Sequence, residues 1–125
     1  MIVGTGVDIT EVGRVAEALE RFGERFLRRV FTPLEIEYCC SKRNKAERLA
    51  ARFAAKEAAM KALGTGLRQG VTWQQIEVRR VPGSRPMIVF SGAAAQHAAR
   101  LGAKHVSLSI SHSAEQAIAM VILEN

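Results

Sequence analysis

No stretch of the chain approaches the roughly 20 consecutive apolar residues that a membrane-spanning helix needs. Met1-Ile2-Val3-Gly4 also lacks the basic start and long apolar run of a secretory leader. A cytoplasmic protein with no membrane role is expected. The only two cysteines, Cys39 and Cys40, are adjacent, which matches no common zinc or redox spacing and is poor geometry for an ordinary disulfide. Both are read as reduced thiols in packing positions. Aromatic residues make up 6% of the chain, too few to offer much stacking surface to single-stranded nucleic acid. Internal repeats, linkers and low-complexity tracts are also absent.

A length of 125 residues suits one domain, spanning 1–125, and is too short for two independent cores. With 48% hydrophobic and 24% charged residues, the composition is that of a globular chain rather than a disordered one. So small a chain leaves much surface uncovered, and an interface between copies would hide apolar area. The formal net charge of +6 points to an anionic partner: nucleic acid, an acidic protein, a phosphate-bearing small molecule or lipid headgroups.

Val3, Thr5, Val7 and Ile9 alternate with Gly4, Gly6 and Asp8, the period of a strand. Val12, Val15, Leu19 and Phe22 follow helical spacing up to Gly23, and a second basic turn covers Glu24 to Val30. Thr32-Pro33-Leu34-Glu35 combines a cap, a first-turn proline and a glutamate three residues after the cap, and so starts a short helix towards Cys40. Asn44 to Leu63 has neither glycine nor proline and is expected to be the longest helix, closed by Gly64 and Gly66. Trp73 to Val81 and Met87 to Phe90 read as strands around a turn, with a short Ala-rich helix to Leu101 after them. Val106 to Ser111 and Ala117 to Leu123 read as a hairpin. The fold class is therefore α+β, a mainly antiparallel sheet packed against one long helix.

Several residues interrupt these patterns with chemistry. Asp8 shares a strand face with Gly4 and Gly6, which leaves space for a ligand beside a carboxylate; the plainer reading is a helix cap, since Asp8-x-x-Glu11 fits one. Glu57 lies within the apolar arc of the long helix, with Lys61 one turn on. It marks either a site or an ordinary ion pair at the core edge. His112 closes the Val106, Leu108, Ile110 face and could be catalytic or a hydrogen-bonded core histidine. Basic residues form two groups, Arg14, Arg21, Arg25 and Arg28, then Lys42, Arg43, Lys45 and Arg48. The first would form one stripe if a helix continued through Gly23. Gly64-Thr65-Gly66 is glycine-rich but lacks the ending of a phosphate-binding P-loop.

Taken in order, Gly4-Thr5-Gly6-Val7-Asp8-Ile9, Phe31-Thr32-Pro33-Leu34-Glu35, Arg52-Phe53-Ala54-Ala55-Lys56-Glu57-Ala58 with Lys61-Ala62-Leu63-Gly64-Thr65-Gly66, and Ser109-Ile110-Ser111-His112 resemble the holo-acyl-carrier-protein synthase family, the small bacterial 4'-phosphopantetheinyl transferases. The resemblance spans almost the whole chain. It implies the 4'-phosphopantetheinyl transferase fold and transfer of the phosphopantetheine arm of coenzyme A to a serine of apo acyl carrier protein, for fatty acid biosynthesis. By the same resemblance, Asp8 and Glu57 hold Mg²⁺, Lys61 meets the diphosphate and His112 lies beside it, so that Glu57, Lys61 and His112 carry the catalysis. The serine proton then goes to Glu57 or to a metal-bound water.

The resemblance further implies that Arg43, Lys45 and Arg48 meet the 3'-phosphate, that Gly64, Arg85 and Pro86 line the coenzyme site, and that Arg14, Arg21, Arg25 and Arg28 dock the acidic carrier. It implies a homotrimer with coenzyme A between subunits, and neither a nucleic-acid nor a membrane partner. Ala51 departs from the glycine many relatives carry there, and Met60 falls at a variable position; neither is a proposed ligand. The competing reading is a non-catalytic basic module for nucleic acid or an acidic protein, which leaves Asp8 and Glu57 without a purpose.

Overall fold

A computed structural model describes residues 1–125. The opening alternation forms β1 (Ile2–Glu11), which leads directly into α1 (Val12–Phe22). Gly23 takes a φ of +53°, open to glycine and strained for other residues, and the chain restarts as α2 (Glu24–Val30). The basic stripe expected across Gly23 is therefore broken between two helices.

The expected cap forms at α3 (Pro33–Cys40): Glu35 N donates to Thr32 Oγ1 at 3.3 Å and Thr32 N to Glu35 Oε1 at 2.8 Å. After it comes α4 (Lys45–Leu63), which ends in the left-handed conformation at Gly64. The strand expected from Trp73 is shorter, because Trp73–Gln75 make a 3₁₀ turn and only β2 (Ile76–Arg79) is extended. Gln75 explains the difference, since its Oε1 accepts from Thr72 N and from Ala94 N and so holds the turn against α5 (Gly92–Leu101). β3 (Met87–Phe90) precedes α5, and β4 (His105–His112) and β5 (Gln116–Glu124) complete the chain.

All strand pairs are antiparallel, but they divide into two sheets, β1-β5-β4 and β2-β3. Helix α4 packs across the three-stranded sheet against β1 and β5. Its approach to β1 is at backbone distance: a Cβ on Gly6 would lie 1.9 Å from the Ala58 carbonyl oxygen, and one on Gly4 2.3 Å from that of Ala62. The glycines thus leave no open space for a ligand, contrary to the sequence expectation, because the helix itself fills it. The buried apolar positions on α4 are mostly alanine, which permits this contact.

Polar links fasten α4 on its other side. Lys56 and Glu35 are both completely buried and lie 2.7 Å apart. Lys56 Nζ also donates to the carbonyls of Trp73 (3.0 Å) and Ile76 (2.8 Å), while Glu35 Oε2 accepts from Val78 N at 2.7 Å. Burial pulls the Lys56 pKa down, opposed by the Glu35 carboxylate. Removing one partner of such a pair costs about 3–5 kcal/mol, because the other charge is stranded.

The opposite sheet face is bare, with Val7 52%, Ile9 60%, Ile118 42% and Met120 48% exposed. Register places these four together, Val7 opposite Met120 and Ile9 opposite Ile118. Of the two thiols expected to pack, Cys39 does and its pKa rises to about 11 through burial, whereas Cys40 faces solvent at the last turn of α3.

The tight β1–α4 crossing makes Gly6→Ala costly, about 3 kcal/mol at the upper end of overpacking effects. Gly13→Ala in α1, where a Cβ meets nothing within 4 Å, should instead stabilise by about 0.5–1 kcal/mol. Urea denaturation of both variants checks the contrast.

Candidate active site

Asp8 sits on the inner face of β1, opposite Ala119, with its side chain 14% exposed. It caps no helix. The N-cap of α1 is Glu11, without a side-chain bond, and Val12 N donates instead to the Glu115 carbonyl. Each carboxylate oxygen of Asp8 has one donor: Oδ2 accepts from Thr10 Oγ1 at 3.0 Å, and Oδ1 from Lys61 Nζ at 3.1 Å. Lys61 also donates to the Val7 carbonyl. The ordinary i,i+4 pair of Lys61 with Glu57 is absent from the ion pairs, since Lys61 reaches across to β1 instead.

Glu57 faces the same place from α4. Its carboxyl is held above the usual range, first by burial, then by the Asp8 carboxylate, with Lys61 opposing. Asp8 and Glu57 share a cleft of about 550 Å³, lined also by Thr10, Arg14, Phe26 and Phe53. No group of three or more acidic, cysteine or histidine side chains gathers anywhere in the chain. The pair therefore offers two hard oxygen ligands, with space beside them for the further oxygens of a bound molecule or water. That donor set fits Mg²⁺.

His112 is elsewhere in the chain. It ends β4, the far edge of the sheet, opposite Ala117, which is in turn opposite Thr10. Two strand spacings, about 10 Å, separate it from β1. Its Nδ1 lies 2.5 Å from Glu47 Oε1, and this hydrogen bond holds the Glu47 carboxyl below its usual range. Glu47 lies in the first turn of α4 and Glu57 in its C-terminal half, about 15 Å apart along the axis. Within one chain, the residues expected at one centre thus fall into an Asp8, Glu57, Lys61 group and a His112, Glu47 group.

The remaining candidates sort between these ends. Exposed Arg43 and Lys45, and half-buried Arg48, stand at the start of α4, where Arg48 donates to Asn44 Oδ1 and reaches the Tyr38 hydroxyl. Gly64 closes the other end, beyond Lys61. Arg85 and Pro86 lie between β2 and β3. Arg14, Arg21, Arg25 and Arg28 are all exposed; Arg14 borders the Asp8 cleft, and Arg28 pairs with Glu24. Exposed Phe22 lies beside Arg25 and Arg29, with Arg21 over its ring at 5.4 Å.

Sequence reasoning missed Thr10, Glu47 and Arg52. Arg52 is 5% exposed, lies 4.5 Å over the Tyr38 ring, and keeps Nε without a partner. It lines a second cleft of about 520 Å³ with Tyr38, Ser41, Arg79 and Arg80. The available signal was a charge set among alanines, one turn before Lys56.

Residues 4–121 match the family model described as the 4'-phosphopantetheinyl transferase superfamily. The chain is 61% identical to a holo-[acyl-carrier-protein] synthase of Koribacter versatilis (strain Ellin345), over the full length of both. Its fold is similar to the crystal structure of the synthase from Neisseria meningitidis, at a TM-score of 0.91, 34% identity and complete coverage of both chains. A synthase from Bacillus anthracis in complex with CoA (3',5'-ADP) gives 0.81 and 38%, covering 98% of this chain and 96% of the other.

The raised Glu57 carboxyl has a definite linkage sign. Between its unfolded and folded pKa values the folded protein binds more protons, so stability falls as pH rises through that window. In chelator-treated buffer, Glu57→Gln should melt higher than wild type at neutral pH and lose that advantage below the ordinary carboxylate range. Thermal melts across pH check this, and a lower neutral melting point for the variant would contradict it.

Proposed function

The chain belongs to the 4'-phosphopantetheinyl transferase superfamily, and from that membership we propose that it is a holo-acyl-carrier-protein synthase. As a single transferase domain over 1–125, it moves 4'-phosphopantetheine from coenzyme A to a serine of apo acyl carrier protein, in fatty acid biosynthesis. The serine oxygen forms a bond to the β-phosphorus, the bond from that phosphorus to the bridging oxygen breaks, and 3',5'-ADP leaves with the electron pair. The observation that carries this reading is the convergence of Asp8 and Glu57 on one cleft, with Lys61 bonded to Asp8.

Asp8 and Glu57 would hold Mg²⁺ there; when bound, it supplies positive charge to the diphosphate as negative charge builds on its oxygens. Lys61, half-exposed and already beside Asp8, is placed to donate to a phosphate oxygen. Glu57, which lines the cleft from α4, is placed to take the serine proton. Arg14, Arg21, Arg25 and Arg28, with Phe22 between them, offer an acidic carrier protein a basic surface bordering the same cleft. Arg43, Lys45 and Arg48, with Arg85, Pro86 and the partnerless Arg52 nitrogen, suit the coenzyme's nucleotide end.

A homotrimer reconciles the two separated groups. The bare Val7, Ile9, Ile118 and Met120 face calls for a covering surface, and a second copy would bring its own His112 and Glu47 towards the Asp8 group. His112 also borders that face, in a small groove with Ile9 and Ile118.

Incubation with apo acyl carrier protein, coenzyme A and Mg²⁺ should add a phosphopantetheine mass to the carrier in intact-mass spectrometry, and EDTA should prevent it. Asp8→Ala and Glu57→Ala should each lose about 10²-fold or more in rate while remaining folded. No mass gain on any carrier, with salt-sensitive and metal-independent binding, would favour the basic module instead. In sedimentation, wild type should run as a trimer and Met120→Asp as a smaller, inactive species; an active monomer would remove the shared cleft.

A further inference from the structure

We propose that Lys56 and Glu35, which the reaction does not use, are positioning residues: their buried contact sets the rotation of α4 and thereby the direction of Glu57. The inference rests on the reading of Asp8 and Glu57 as metal ligands. It begins from how few directional contacts hold that rotation. On the sheet side α4 presents mainly alanines to the glycines of β1. Such contacts define how close the helix comes, but short side chains interlock weakly and resist turning about the axis poorly.

Leu49, Met60 and Leu63 add buried apolar volume, Phe53 packs on Trp73 and Arg52 on Tyr38, but Lys56 is the buried α4 side chain whose hydrogen bonds fix a direction. Its ammonium has three protons and meets three acceptors on separate segments: Glu35 Oε1 at the start of α3, Trp73 O in the 3₁₀ turn and Ile76 O at the start of β2. Glu35 is held in turn by Thr32 N and Val78 N. The ammonium has no spare proton and no freedom to swing. Lys56 does not line the Asp8 cleft, so its effect there runs through the helix.

Glu57 is the next residue, about 100° further round the axis. A helix turn of about 10° would carry its carboxylate, roughly 5–6 Å from the axis, through about 1 Å. At a reacting centre a displacement of about 1 Å is enough to cost on the order of 10²-fold in rate. Stability alone does not account for such a pair, because well-packed apolar side chains commonly do as well. A directional role does, since apolar substitutes supply volume without aim.

The test uses the full-length protein with coenzyme A bound and Mn²⁺ as probe, following the free-ion EPR signal at a temperature where circular dichroism shows every variant folded. Lys56→Met and the paired Glu35→Gln, Lys56→Met variant should bind Mn²⁺ about 10-fold more weakly. In the mass assay both should lose kcat with little change in the KM for coenzyme A. Leu101→Ala, at the end of α5 and packed on the core but outside every hydrogen bond of the pair, should lower the melting temperature and leave Mn²⁺ affinity unchanged. Should Lys56→Met strand Glu35 and unfold, the paired variant still decides. Wild-type Mn²⁺ affinity and kcat in the folded pair variants would overturn the positioning role while leaving the metal reading intact. A wild-type protein that binds no Mn²⁺ would overturn the metal reading, and this inference with it.

Discussion

Backbone contact between β1 and α4 is the constraint on which the rest of the molecule depends. Gly4 and Gly6 let the carbonyls of Ala58 and Ala62 come within a distance that any side chain would block. This contact, rather than a bulky core, brings a strand carboxylate and a helix carboxylate to the same cleft. It also accounts for the alanine content of α4, because longer residues on that face would push the helix off the sheet. The buried Lys56–Glu35 pair closes the arrangement from the opposite side, tying α4 to α3 and β2. One helix is thus gripped by apolar contact on one side and by hydrogen bonds on the other.

The electrostatics of the cleft follow from that geometry. Asp8 is oriented by a hydroxyl on one oxygen and an ammonium on the other, so its direction is defined without any bound partner. Glu57 has no such pair of donors; it is half-buried and faces a like charge. Repulsion between the two carboxylates is a cost to the fold and an attraction for any cation that enters. At the other end of α4, Glu47 and His112 are arranged the opposite way, as a satisfied donor and acceptor.

Features governed by neighbouring residues were legible in the sequence. Thr32 and Glu35 announce their capping box, Gly64 its helix end, and Ser113 to Gln116 a hairpin, because the chemistry lies within a few residues. What spacing could not convey depended on distant partners. Gly4 and Gly6 looked like open space because the helix that fills it comes some fifty residues later. Nothing local marks Lys56 as buried, because Glu35 and the two carbonyls that surround it come from distant segments. Asp8 and Glu57 stand out locally, but a cap and an ion pair are the simpler local readings, and only the family motif favours a ligand role. The separation of His112 from Asp8 needed the strand order β1-β5-β4, which no local pattern encodes.

Separating Glu57, in the C-terminal half of α4, from Glu47 and His112 at its start would have a genetic consequence. In an assembly whose clefts are shared, a lesion at Asp8 and a lesion at His112 damage different halves of each cleft. Two defective alleles expressed together would then build mixed assemblies in which some clefts receive both intact halves. Such alleles would complement each other, whereas two lesions at Asp8 and Glu57 fall on the same half and would not.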